Sequence, residues 1–243
     1  MRKTLTLVFL AFVLVACDKH DPVLPGVRVD VFDTGAPRVL NTTIKTLPER
    51  AYAQKAEKCP YTQKSDNTIW DGDRKVFSGL ATNTFVDIAR RPLCAGGYVY
   101  AGLSTGELVK INPKNRSIMW IADIYRQSNM MGGASVLDII APAVVYSGYV
   151  YAGGLGGAFC KISNESGNQQ WCVNIGTAHP FIIAGDAAFV VDTDDNLDAI
   201  RLRDGAIYWQ TAVKKSVAPE YADKIIRVGT ETFDATNGAP IKD

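Results

Sequence analysis

Gly97-Tyr98-Val99-Tyr100-Ala101-Gly102 returns almost letter for letter as Gly148-Tyr149-Val150-Tyr151-Ala152-Gly153, 51 residues further along a chain of 243. In both copies a Trp follows 23 residues after the first Gly, at Trp120 and Trp171, and Gly106 and Ile111 recur as Gly157 and Ile162. A third copy opens at Gly185, carries the strand-like run Phe189-Val190-Val191, replaces the turn glycine by Asn196, and closes with Gly205 and Trp209 after a spacing of 24. A fourth is degenerate: Ile225-Ile226-Arg227-Val228-Gly229 reads as a strand, and Asp234-Ala235-Thr236-Asn237-Gly238 as a turn before a last strand the chain barely supplies.

Each unit is a short apolar alternation, a Gly-rich turn, a second alternation, a polar turn and a third run bearing the Trp. Side chains that alternate with a period of two belong to strands, so the units are β-meanders and helical repeats are excluded. Units of this kind, each unable to bury both faces of its own small sheet, stack as the blades of a β-propeller. The expected fold is all-β, a propeller reduced to about four or five blades, either closed or incomplete. Trp120, Trp171 and Trp209 are then structural residues that fill the space between blades, each burying on the order of 200 Å².

The expected organisation is a leader at residues 1–16, an irregular linker and cap at 17–75, and repeats at 76–243, divided as 76–124, 133–176, 177–213 and a partial 214–243. Pro48-Glu49-Arg50-Ala51-Tyr52-Ala53-Gln54-Lys55-Ala56-Glu57 reads as a short helix, and Trp70 as the Trp of a vestigial blade whose remaining strands are missing or come from the carboxyl end. Between the first two full units lies an insertion from Tyr125 to Asp138. Inserted rim loops are where such folds bind, which makes Arg126, Met130, Met131, Val136, Leu137 and Asp138 the candidates for partner contact.

Arg2-Lys3 followed by an apolar run to Val15 has the charged start and short apolar core of a secretory signal. Leu14-Val15-Ala16-Cys17 resembles a bacterial lipoprotein cleavage box, which implies lipid on Cys17 and a periplasmic domain. Asp18 beside it resembles an inner-membrane retention signal, so the outer membrane is expected with the inner membrane as the alternative. The net charge is +1, and removing residues 1–16 with Arg2 and Lys3 brings it to −1, a balance without the basic excess of nucleic-acid binders.

Four cysteines remain after Cys17, and four allow three connectivities. Cys160 and Cys172 flank the turn Ser163-Asn164-Glu165-Ser166-Gly167-Asn168, and a hairpin centred on residue 166 sets them opposite each other, close enough for a disulfide. The connectivity expected is therefore Cys160 with Cys172 and Cys59 with Cys94.

Several motifs resemble chemistry without its context. Gly102-Leu103-Ser104-Thr105-Gly106 matches a nucleophile elbow by letter, but the run after it continues as a strand where an elbow needs a helix. Asp192-Thr193-Asp194-Asp195-Asn196 begins like a calcium loop, yet Leu197 and Arg203 stand at the glycine and bidentate-acid positions, and turn chemistry accounts for it. Gly153-Gly154-Leu155-Gly156-Gly157 lacks the Lys-Ser/Thr and helix of a phosphate loop, and His179 reads as a strand-edge residue. No cofactor and no metal are expected.

The runs Asp138-Ile139-Ile140-Ala141-Pro142-Ala143-Val144-Val145, Ile182-Ile183-Ala184-Gly185-Asp186-Ala187-Ala188-Phe189-Val190-Val191 and Gly205-Ala206-Ile207-Tyr208-Trp209 resemble the PQQ-like repeats of the BamB family of outer-membrane protein assembly factors. That resemblance covers about residues 76–243. It implies a non-enzymatic scaffold docked through rim loops onto the central subunit of the machine that inserts β-barrels. The family usually has eight blades, and its docking loop carries a Leu-x-Leu-Arg pattern where this chain has Ala134-Ser135-Val136-Leu137. An interaction protein of another envelope complex is the alternative, with a relative of the quinone-dependent alcohol dehydrogenases a more distant one. Labelled palmitate is expected to enter the protein in a bacterial host and to vanish in Cys17→Ala; unchanged labelling of that variant would remove the anchor.

Overall fold

The structure, a computed structural model, describes residues 37–55, 57–86, 91–124 and 136–241. Cys17, Asp18, Arg126, Met130 and Met131 lie outside the described residues. The described residues contain eighteen strands and no helix. They form five consecutive antiparallel sheets: β1–β3 (Tyr61–Gln63, Thr68–Asp71, Arg74–Ser78), β4–β7 (Leu93–Ala95, Tyr98–Gly102, Glu107–Asn112, Ser117–Asp123), β8–β11 (Val144–Tyr146, Tyr149–Gly154, Ala158–Ser163, Gln169–Val173), β12–β15 (Ile182–Ala184, Ala187–Val191, Asn196–Arg201, Ile207–Ala212) and β16–β18 (Pro219–Ala222, Ile225–Val228, Glu231–Asp234). Among the described residues no strand joins the first sheet to the fifth, so the blades form an open series.

Four apolar clusters fill the spaces between neighbouring blades. Tyr61, Ile69 and Phe77 of the first meet Val99, Val109 and Ile111 of the second, and Tyr100, Leu108 and Trp120 of the second meet Val150, Cys160 and Ile162 of the third. Tyr151, Phe159 and Val173 then meet Ala188, Val190 and Ile200, and Phe189, Leu197 and Trp209 meet Ile226, Val228 and Phe233. In β5, Val99 and Ala101 point to one cluster and Tyr100 to the other, which is the period of two at work. Interior blades bury both faces, so Ala187–Val191 is apolar throughout and fully buried. The last blade turns a polar face outward, with Glu220 and Arg227 exposed, as the end of a stack requires.

Each Trp is seated on the following blade. Gly167, Gly205 and Gly238 occupy the same place in the hairpin after the third strand of their blades, each N–H reaching back four residues to Ser163, Arg201 and Asp234. All three have positive φ, and a Cβ on Gly167 would lie 2.6 Å from Trp120 and one on Gly205 2.8 Å from Trp171; at Gly238 the obstacle is Trp209. Glycine is thus demanded twice over, by the left-handed backbone and by the indole lying against it. Trp120 Nε1 also donates to Asn164 O (3.1 Å) and Trp171 Nε1 to Leu202 O (3.2 Å).

Three expectations are corrected. The cap expected at 17–75 contains most of a blade, since β1 to β3 span residues 61 to 78 and the boundary at 75 falls inside β3. Its three strands come from this one stretch rather than from the carboxyl end. Trp70 does not hold the Trp seat of that blade. Where Lys110 pairs with Trp120 before the register slips, Ile69 pairs with Phe77, so Phe77 takes the seat and Trp70 faces away, with Lys64 Nζ 4.1 Å over its ring. The matching turn position is Arg116, φ 62°, whose Nε instead binds Asp71 Oδ2 at 2.8 Å.

The helix expected at 48–57 is absent from the described residues there, because its backbone groups are engaged by the blades. Residues 38–42 run parallel to β15, with Ile207 N donating to Arg38 O (2.9 Å) and Leu40 N to Ile207 O (2.8 Å). Further along, Ile44 and Leu47 enter the last inter-blade cluster. Tyr52 N then donates to Ile183 O (2.7 Å), Gln54 Oε1 accepts Val145 N (2.8 Å) and Glu57 Oε1 accepts Gly96 N (2.8 Å). This strap therefore touches the innermost strands β12 and β8 and the β4–β5 turn in turn. It is fixed at its end by a disulfide between Cys59 and Cys94, while Cys160 and Cys172, opposite residues of β10 and β11, form a second.

Trp120→Ala is expected to cost about 3–5 kcal/mol of stability and Gly167→Ala about 1–3 kcal/mol, measured by urea unfolding. Because the two side chains share one seat, Gly167→Ala should cost distinctly less in the Trp120→Ala background; additive losses would show that the contact is not the cause.

Candidate functional site

In a four-stranded meander the turn between the second and third strands lies on the same rim as the linker that leads to the next blade. That rim is opposite the one crossed by the strap. The linkers after the second and third blades are each locked between two such turns. Ile139 N donates to Leu103 O (3.2 Å) of the second blade and Leu155 N of the third donates to Asp138 O (2.9 Å). In the next linker Thr177 N donates to Gly154 O (3.2 Å) and Thr177 Oγ1 to Val191 O (2.9 Å). At the first junction Asn67 does the same work, with Nδ2 donating to Ser104 Oγ (2.7 Å) and Oδ1 accepting Ser104 N (2.9 Å).

Val136 and Leu137 emerge onto this rim half-buried. Asp138, expected as a partner contact, is instead fully buried: its Oδ2 accepts Val86 N at 3.0 Å and its carbonyl takes Leu155 N. A carboxylate inside the rim ties segment 79–86 to the linker. Two residues the sequence did not single out stand exposed in that segment, Leu80 at 77% and Phe85 at 38%, with the Leu80 carbonyl accepting Asn67 Nδ2 at 2.7 Å. They sit outside any repeat, in a connection of no period, so only exposure could have revealed them. Behind the rim, Gln63, Arg91, Tyr100, Ile139 and Pro142 line a cleft of about 210 Å³.

The turn Gly102-Leu103-Ser104-Thr105-Gly106 is the hairpin between β5 and β6, with Ser104 buried against Asn67 and Thr82. Asp192 Oδ1 accepts the backbone N–H of Asp194 (2.9 Å) and of Asn196 (2.7 Å), so that segment is a turn held by its own carboxylate. His179 lies in the loop before β12 rather than on a strand edge.

Two interior features also escaped the sequence reading. Lys110 and Lys161 share the 51-residue period and could have been found from it. Each reaches into the next blade: Lys110 Nζ donates to Asn164 O (2.6 Å) with the Tyr98 ring 3.9 Å away, and Lys161 Nζ to Leu202 O (3.0 Å) over Tyr149. Burial lowers the pKa of both. The second feature is Asp198, which stands where β10 has Cys160 and accepts Gln210 Nε2 at 2.8 Å, Gln210 standing where β11 has Cys172. Burial first, then the neighbouring charge of Asp192, push the Asp198 carboxyl up to about 8.

A family model described as outer membrane protein assembly factor BamB matches residues 34–211. Curated relatives of that name are similar over part of the chain: that of Kangiella koreensis is 22% identical over 117 residues, covering 48% of this chain and 30% of the relative. That of Salmonella typhimurium is 25% identical over 118 residues, covering 49% and 30%. The matched part of the chain thus spans less than a third of these relatives. Among solved structures, BamB from Moraxella catarrhalis aligns at 18% identity and TM-score 0.49, covering 65% of this chain and 48% of that one. A quinohemoprotein alcohol dehydrogenase from Comamonas testosteroni aligns at 16% identity and TM-score 0.40, covering 49% and 20%.

An unfolded carboxyl titrates near 3.9, so between there and about 8 the folded protein holds a proton on Asp198 that the unfolded chain has released. Stability is therefore present in full below pH 4 and lost as pH rises to about 8. Asp198→Asn, which keeps an acceptor for Gln210, is expected to gain on the parent progressively over that range in urea unfolding; a constant difference would contradict it.

Proposed function

The chain belongs to the outer membrane protein assembly factor BamB family, and from that premise we propose that it is a non-enzymatic scaffold on the β-barrel assembly machine. In this reading it is held by lipid on Cys17 at the periplasmic face of the outer membrane and helps outer-membrane proteins insert through protein–protein contacts alone. The observation that carries the reading is the family match over residues 34–211, which takes in four of the five blades. The docking element is the rim bearing Val136 and Leu137, with Arg126, Met130 and Met131, which lie outside the described residues, as further candidate contacts, and the partner is the central barrel-assembly subunit.

The geometry supports a contact surface on this rim. Leu80 and Phe85 expose apolar side chains beside a linker whose backbone is locked by hydrogen bonds. Exposed apolar residues on a rigid support are suited to pairing with a partner because little ordering entropy remains to oppose binding.

The test is affinity capture of the tagged full chain from gently solubilised membranes after crosslinking in the cell, with partners identified by mass spectrometry. Recovery of the central barrel-assembly subunit, weakened by Leu137→Asp and Leu80→Asp together, is the expected outcome. Reproducible recovery of a different envelope complex would overturn the assignment in favour of the alternative interaction protein.

A further inference from the structure

The outermost strand of the second blade, β7, exposes three large apolar side chains: Ile118 (45%), Met119 (44%) and Ile121 (45%). It is the terminal strand of its sheet, and among the described residues none pairs with its outer side. Outer strands elsewhere in the molecule are handled differently. β3 exposes Arg74 and Lys75, and β11 exposes Gln169 and Gln170, polar side chains of the kind that protect an open edge. β15 is apolar at the corresponding place, and it is covered.

The register makes the correspondence residue by residue. Trp120 opposes Lys110, Met119 is skipped and Ile118 opposes Ile111; likewise Trp209 opposes Ala199, Tyr208 is skipped and Ile207 opposes Ile200. Ile118 is therefore the counterpart of Ile207. Ile207 is fully buried, with N–H bonded to Arg38 O and carbonyl accepting Leu40 N, while Tyr208 O accepts Thr42 N (2.8 Å). These outward groups belong to a position whose side of the ladder is not used by the neighbouring strand. The molecule thus shows what an apolar outer strand of this geometry takes: an extended segment in parallel, with a β-branched residue, Val39, beside the isoleucine.

We propose that β7 is an acceptor strand for an extended segment of a partner polypeptide, added in parallel as residues 38–42 add to β15, with an apolar side chain against Ile118. Main-chain hydrogen bonds to Ile118 supply affinity, and Ile118, Met119 and Ile121 select apolar partners, the two components of strand addition. A second copy of this chain is a poorer occupant, because its own 38–42 segment is engaged on its own β15. The site lies on the blade's outer edge and does not depend on the rim reading.

The probe is a capped peptide with the sequence of residues 37–43, added to the full chain at concentrations on the order of 1 mM, as befits a short strand. Amide exchange followed by mass spectrometry should show protection appearing at residues 117–121. Ile118→Pro removes the outward donor without touching the bonds to β6 and should weaken the protection at least tenfold, as should Ile121→Lys. Gln170→Lys on β11 should leave it unchanged, and unfolding curves of each variant separate lost binding from lost folding. Protection that survives Ile118→Pro in a folded variant, or that is absent from 117–121 at saturating peptide, would overturn the proposal. So would self-association in sedimentation that is abolished by Ile121→Lys, which would give the edge to a second copy instead.

Discussion

An indole lying flat on a glycine with positive φ is the contact on which the stacking of these blades depends. A sheet of four short strands has no interior of its own, so each blade is stable only against its neighbours, and the seat fixes how far apart and at what angle they stand. Trp120, Trp171 and Trp209 each cross to the following blade, and at the first two the indole N–H also bonds a carbonyl there. Trp209 Nε1 has no partner among the described residues, and that junction is instead reinforced by Ile44 and Leu47 of the strap.

The strap answers a second constraint, that an open series of blades has no closing contact to hold its inner strands. By touching β12, β8 and the β4–β5 turn in succession, and ending in the disulfide to Cys94, it ties three blades that would otherwise be joined only pairwise. It occupies the rim bearing the turns between first and second strands. The opposite rim, held by Asp138, Thr177 and Asn67, is not crossed by the strap.

Repeats with intact seats were legible in the sequence because glycine and tryptophan have few substitutes there. The first blade was not, since its seat is filled by Phe77 over a turn that holds Arg116, and neither letter carries the spacing; Trp70, the one Trp in reach, pointed to the wrong face. Residues 48–57 of the strap read as a helix because their composition suits one, while their bonds go to residues distant in sequence. Asp138 was grouped with the partner contacts from its place in an insertion, whereas its buried carboxylate accepts Val86 N while its backbone carbonyl takes Leu155 N.

The pair of facing positions on the third and fourth strands shows why so little identity survives among such chains. On one blade it is Val109 and Ile121, on the next the Cys160–Cys172 disulfide, and on the third Asp198 hydrogen-bonded to Gln210. Apolar contact, covalent bond and hydrogen bond each join two opposed side chains of limited volume at this place, and at the third the Asp198 Oδ2 is left without a partner among the described residues, which is why burial raises that carboxyl's pKa. Selection on volume and pairing rather than on residue type lets letters drift while the blade is kept. Identities of 22% and 25% to curated relatives accord with such a constraint, and within this chain the seat of the first blade shows the same latitude, with Phe77 at the Trp position and Arg116 at the Gly position.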